Sequence, residues 1–252
     1  PPEKTVVPMR WLTAAEEMLQ ATSTPEAPWT VVAATHKRFV RVQVFRAVLA
    51  AVERAIAVDP KDPRAPFYLG NLLYDLQPER AITAWERSRG LDPGLARVHR
   101  NLAFAYARAR GDLTGAVVSQ QKAVSIEKRE PRLYYELDQY LAWTRAPLAT
   151  RLARLTESPE TVASREISAG RLGRVQALLG RDDEAVETLS RTRFHVWEGE
   201  SGIHSVYVAA RLERGRRLLA RGAAAAALEE FRATADVPAN IEVGQGTGAH
   251  RA

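Results

Sequence analysis

The stretch Asp62 to Pro93, DPRAPFYLGNLLYDLQPERAITAWERSRGLDP, carries the pattern that governs most of this chain. Leu69-Gly70 is followed by Leu73, one helical turn on, so both leucines point at one neighbour. Gly70 and Ala81 are small where two helices must approach closely. Trp85, four residues after Ala81, is large enough to fill the seam between this unit and the next. Asp92-Pro93 closes the unit, because proline cannot extend the hydrogen-bond ladder. The spacing predicts two antiparallel helices joined by a short turn, in a unit of about 34 residues.

The pattern recurs. Leu102-Ala103 and Tyr106 mark the next first helix, Gly111 its turn, and Ala116, Gln120 and Ala123 the returning helix. Ala116 stands 35 residues after Ala81, one period, and Ala185 a further 69, two periods. A degenerate repeat must lie between. Pro131 opens its first helix with Leu133, Tyr134, Leu137, Tyr140 and Leu141, and a short helix bearing Leu148, Leu152 and Leu155 returns. Ser158-Pro159-Glu160 then reads as the N-cap and first turn of a helix that carries Leu172-Gly173 and ends at Gly180. Gly215, Leu218, Gly222, Ala227 and Phe231 mark the last pair. At least four such units bury a continuous core.

Composition fits an ordinary globular chain of 252 residues with 46% apolar content. No apolar run approaches the roughly 18 residues a membrane helix needs, so no membrane partner is expected. There is no cysteine, which excludes disulfides and thiolate metal sites. The formal charge is +6 and only five of the 36 basic residues are lysine. That excess is assigned to solvated helix surface ahead of a nucleic-acid patch. The chain begins at Pro1 rather than methionine, the mark of a fragment; a cytoplasmic setting is the expectation.

Before the repeats, Met9 to Gln20 forms an amphipathic pattern that Ser23-Thr24-Pro25 breaks. Trp29 to Val32, bounded by Pro28, is the one strand candidate. From about Arg38 the pattern is helical, with Val48, Leu49, Val52, Ala55 and Ile56 on one face, until Asp59-Pro60. The expected divisions are residues 1–57, a repeat solenoid over 58–238 and an irregular tail over 239–252.

These motifs resemble the tetratricopeptide repeat family, which implies an all-α solenoid of helical hairpins acting as a binding scaffold for a protein or peptide. In such arrays the first helix of each pair lines the concave face. The residues placed there are Arg64, Phe67, Asn71, Tyr74 and Asp75, then Arg97, Arg100, Phe104 and Arg108, then Arg132, Tyr135, Gln139 and Trp143. Arginines interleaved with aromatics suit an acidic, extended segment. The family's carboxylate clamp combines cations with two asparagines. Asn71, Asn101 and Arg132 stand at three of its places, while Phe67 and Glu136 replace two cationic ones. An uncapped last repeat would leave an apolar edge open to self-association.

Two further resemblances bear on the ends of the chain. Ala15 to Ala55 is similar to the C-terminal end of the second family of polyphosphate kinases through Glu17-Met18-Leu19, Thr22-Ser23-Thr24, Ala27-Pro28-Trp29, Val32, Lys37-Arg38-Phe39 and Arg41-Val42. It departs at Ala33 and His36, where the family is acidic, and these residues hold no G-x-x-x-x-G-K-[ST] loop to cradle phosphates. The resemblance implies a strand and loop of a kinase core joined to a closing helix. The join between this resemblance and that of the repeats falls near Val44 to Val58, where either a true fusion shares one helix or the reading frame is truncated or composite. From Asp59 onward the chain also resembles the helical region of an uncharacterised bacterial family with a β-rich N-terminal domain. The shared stretches are Leu69 to Asp75, Arg100 to Tyr106, Tyr134 to Tyr140, Phe194 to Glu200 and Pro238 to Gly244.

The alternatives to a scaffold are therefore a piece of a polyphosphate-dependent nucleotide phosphotransferase and the helical accessory region of a carbohydrate-active protein. The loop with His195, Trp197, Glu198, Glu200 and His204 holds metal-type ligands and an aromatic platform. Its spacing fits no metal motif, so a structural role or contact with another domain is expected. No catalytic residue, metal or cofactor is expected elsewhere.

Overall fold

The computed structural model describes residues 9–25, 28–32, 36–195 and 202–241, with side chains from residue 13. The chain forms two compact units, residues 1–60 and 61–252.

The first unit holds α1 (Met9–Thr22) and α2 (Lys37–Val58). No strand forms over Trp29 to Val32, which corrects the expectation from its β-branched residues. A strand needs a partner ladder, and this segment instead bonds back to the end of α1. The Trp29 backbone N–H donates to Ser23 Oγ at 3.3 Å and the indole Nε1–H to Thr22 Oγ1 at 2.7 Å. The face of α2 read as apolar is not buried: Val48 is 42% exposed, and α2 has no buried residue.

The second unit is a succession of hairpins. They are α3 (Arg64–Leu73) with α4 (Pro78–Leu91), α5 (Ala96–Ala105) with α6 (Leu113–Ile126), and α7 (Pro131–Trp143) with α8 (Leu148–Leu155). After the five-residue α9 (Pro159–Ala163) come α10 (Glu166–Leu178) with α11 (Asp182–Arg191) and α12 (Ile203–Ala220) with α13 (Ala224–Ala233). α5 runs on through a π-helical turn, Tyr106–Arg110, that ends at Gly111 with a left-handed φ of 66°. Each second helix through α6 packs on the next first helix, while α10 packs on both α7 and α8.

Within hairpins the approach is set by small residues. A Cβ on Gly70 would lie 2.4 Å from Trp85 Nε1, one on Gly173 2.7 Å from Leu189 and one on Gly215 2.4 Å from Phe231. The Trp85 ring also seals its own hairpin against Gly70. Its Nε1–H is shared between the Phe67 carbonyl and Asn71 Oδ1, both at 3.1 Å. Ala81, Leu102, Ala103, Ala116 and Ala123 are fully buried. One core cluster runs from Ala123 through Leu133, Leu137 and Leu155 to Val175, and another from Ala169 through Leu189 and Tyr207 to Ile241.

The single helix expected from Pro159 to Gly180 is two. Ser158 stands at the N-cap, but its hydroxyl bonds the Thr161 hydroxyl (2.8 Å) instead of a backbone N–H. Ser164 then closes the turn, its N–H and Oγ–H both donating to the Thr161 carbonyl at 3.2 and 2.7 Å. The repeat's first helix starts afresh at Glu166. Further on, the Phe194 N–H donates to the Asn240 carbonyl (2.7 Å), and Phe194 and Ile241 form an isolated parallel bridge. Ile241 thus belongs to the second core, and the half-buried Asn240 is tied to the end of α11 by hydrogen bonds.

Candidate functional site

The first helices α3, α5 and α7 place their side chains along one groove of about 700 Å³. Arg64, Arg97, Arg100, Arg129, Arg132 and Arg165 line it, with Glu127 and Glu130 as its carboxylates. Phe67, Leu95, Val98 and Leu133 supply apolar surface. These positions converge because equivalent turns of successive first helices fall side by side once the hairpins stack.

The arginines are not equally available. Arg64 forks onto Asp62, with Nε–Oδ1 and Nη2–Oδ2 both at 3.0 Å, and holds the Asp62 carboxyl below its usual range. Arg97 and Arg129 are exposed and form no ion pair among the described residues. Arg100 grips Glu136 through Nε and Nη2 at 2.7 and 2.5 Å, and Arg132 Nε reaches the same carboxylate at 3.0 Å. That bond to Glu136 pushes the Arg100 guanidinium above its ordinary pKa.

An adjoining cavity of about 360 Å³ is lined by Arg100, Phe104, Arg108, Arg132, Tyr135, Glu136, Gln139, Tyr140 and Trp143, with Arg165 and Ile167 at its edge. Arg108 lies 5.6 Å over the Trp143 ring. Tyr140 is 4% exposed. Burial, and then the Glu136 carboxylate, push its phenol up to about 12.

Asn71, Tyr74 and Asn101 line neither of these two cavities. Asn101 Nδ2 donates to Asn71 Oδ1 at 2.8 Å, which also holds the Trp85 indole. Tyr74 stacks between Trp85 and Phe104 at centroid distances of 5.5 and 5.4 Å. These three tie one first helix to the next. Sequence reasoning missed Arg129 and Arg165, which precede the first helices in their linkers, and Tyr140, which reads as core by its spacing.

In the second candidate loop, His195 is held by Glu166. Its N–H donates to Glu166 Oε2 at 2.6 Å and its ring Nδ1 lies 3.2 Å from the same oxygen. Trp197, Glu198 and Glu200 lie outside the described residues. Among the described residues, no group of three or more His, Asp or Glu is arranged to hold a metal ion, and no helix is long and apolar enough to cross a membrane.

The solved structure of YrrB, described as a TPR protein with an unusual peptide-binding site, superposes on this chain with a TM-score of 0.53 at 20% identity. The match covers 73% of this chain and 90% of that one. The repeat region has the tetratricopeptide fold. Another tetratricopeptide protein, TTC0263 of Thermus thermophilus, is similar at 19% identity over 69% of this chain and 93% of its own, with a TM-score of 0.43. Ahead of the tetratricopeptide hairpins, residues 9–60 match the family model of polyphosphate kinase 2. The polyphosphate:AMP phosphotransferase of Pseudomonas syringae pv. tomato is 46% identical over 48 residues, 19% of this chain. The chain spans about a tenth of the length of that relative.

Proposed function

We propose that this chain is a non-catalytic scaffold that takes an extended, acidic segment of a protein or peptide along the face built by α3, α5 and α7. The observation that carries this reading is the groove itself, lined by six arginines and by apolar side chains. Asp62 and Glu136 hold three of the arginines, while Arg97 and Arg129 are exposed and form no ion pair among the described residues. Such a surface attracts acidic partners from a distance and fixes their register by forked hydrogen bonds. YrrB, similar in fold, is described as having a peptide-binding site, which supports the choice of a peptide over a small molecule. The test is fluorescence anisotropy with a labelled octapeptide of alternating Glu and Leu, beside its Gln-for-Glu analogue. The acidic peptide should bind more tightly, and Arg97→Glu with Arg129→Glu should weaken it at least tenfold. Unchanged binding after both charge reversals would show that the groove is misassigned.

A second reading is favoured by the family match over residues 9–60. In it, that segment closes a polyphosphate-dependent kinase core and the repeats are an appendage. Thermal stabilisation of the chain by a nucleoside phosphate would support it; no shift at millimolar nucleotide would count against it.

A further inference from the structure

The groove differs from a simple cationic clamp at one residue. Glu136, on α7, has a side chain only 12% exposed. Its Oε1 accepts from Arg100 Nη2 (2.5 Å) and Arg132 Nε (3.0 Å), and its Oε2 from Arg100 Nε (2.7 Å) and Gln120 Nε2 (3.2 Å). A carboxylate has about four lone-pair sites, so this one is filled. Two arginines on the ligand face are therefore engaged by the protein itself.

Other donors in the same cavity remain open. The Tyr140 hydroxyl has no hydrogen-bond partner among the described residues, although its ring is 4% exposed. Arg108 rests on Trp143 and has no carboxylate partner among the described residues. Further along the face, Arg97 and Arg129 form no ion pair among the described residues, although Glu127 and Glu130 line the same groove.

We infer that Glu136 is a resident carboxylate that selects what each part of the face accepts. It holds the two arginines that a ligand carboxylate would otherwise take and leaves the Tyr140 hydroxyl in the inner cavity to a neutral acceptor, such as a peptide carbonyl. Acidic side chains are directed to the cations that no carboxylate holds, Arg97 and Arg129 and, against Trp143, Arg108. This rests on the peptide-groove reading above. A second carboxylate at the Tyr140 hydroxyl would either displace Glu136 from four donors or sit against it, and like charges at such range repel strongly where water is partly excluded. A carbonyl oxygen meets no such penalty. It accepts from Tyr140 O–H, which like any phenol is protonated at neutral pH, and which burial and Glu136 keep protonated well into alkaline pH by pushing its pKa up to about 12.

The test compares the alternating Glu–Leu octapeptide with its Gln–Leu analogue on the whole chain. Glu136→Gln should tighten the acidic peptide about tenfold relative to the neutral one, because freed arginines make charge-assisted bonds. Glu136→Asp, which keeps the charge, should not. Glu136→Gln combined with Arg100→Gln should bring the acidic peptide back towards the parent affinity. Tyr140→Phe should weaken both peptides alike, by several-fold. Thermal melting of each variant confirms that it is folded.

If Glu136→Gln weakens the acidic peptide, Glu136 is positioning the arginines for ligand, and the inference is overturned. Equal tightening of both peptides overturns it as well. Peptide binding that persists but ignores Glu136 removes this inference alone, whereas no binding by the parent or any folded variant removes the groove reading with it.

Discussion

Gly70 and Gly90 occur in the same hairpin and should answer the same substitution in opposite directions. A Cβ on Gly70 would fall 2.4 Å from an indole that two hydrogen bonds and the Tyr74 ring hold in place. The ring cannot withdraw without losing those bonds, so Gly70→Ala should cost about 1–3 kcal/mol by overpacking. Nothing lies within 4 Å of a Cβ on Gly90, and Gly90→Ala should gain about 0.5–1 kcal/mol from helix propensity. Urea denaturation of the two variants checks both signs. His99 supplies a pH response at this scale. Burial lowers its pKa, against a raising hydrogen bond to the Pro93 carbonyl (3.0 Å), with Arg89 and Lys122 nearby lowering it further. As pH falls through the unfolded value of about 6.5, the unfolded chain binds a proton that the folded chain refuses, so stability declines until the lower folded pKa is passed. His99→Gln should flatten that fall in Tm on acidification and leave the slope above neutrality unchanged.

At the scale of elements, the hairpins were legible because each depends on a local signal: a small residue opposite a large one, a turn glycine, a proline after the last turn. Gly70, Ala81 and Gly111 are instances, and each occupies the place its size or backbone freedom suggests. Signals that fail to reach a partner misled. The run Trp29 to Val32 has strand residues but no strand to pair with among the described residues, and Ser158 has the right identity for a cap but commits its hydroxyl to Thr161. The site was half legible. Periodicity puts Arg100 and Arg132 on one face, but the hold of Arg100 on Glu136 joins residues 36 apart and exists only after stacking, whereas Arg132 reaches the same carboxylate from one turn away on α7. The same holds for Asn240, whose Nδ2 donates to the Leu189 and Thr192 carbonyls at 2.7 and 2.6 Å. Those carbonyls end α11, where no intrahelical donor remains. Asn240→Ala should cost about 1–3 kcal/mol, and Asn240→Asp should cost more, because it sets an acid against carbonyl oxygens. Hydrogen exchange that quickens in α11 and α12 ahead of α3 and α4 would locate the effect.

For the repeat unit as a whole, stability is close to a sum over hairpins and the interfaces between neighbours. Such an array unfolds first where an interface is poorest in apolar contact, and the hairpin α7–α8 has the shortest returning helix, eight residues. That short helix still gives Leu152 and Leu155 to the first core cluster, and charge ties it further. Asp138 is fully buried, and Arg151 forks onto it with Nε and Nη2 both at 2.7 Å. Arg171 approaches its Oδ2 at 3.5 Å while lying 4.8 Å over the Tyr135 ring. One carboxylate therefore ties α7 to α8 and to α10, the start of the next hairpin. Asp138→Asn keeps the shape and removes the charge, leaving Arg151 buried without compensation, which should cost about 3–5 kcal/mol. The loss should appear as early exchange of α7, α8 and α10 amides while α3 and α4 keep their protection, so that a single melting transition broadens or splits. Replacing both partners, Asp138→Leu with Arg151→Met, should recover much of the stability, since a well-packed apolar pair replaces two desolvated charges. A cost below about 1 kcal/mol for Asp138→Asn would mean that water reaches Arg151 and that apolar contact alone carries the middle of the array.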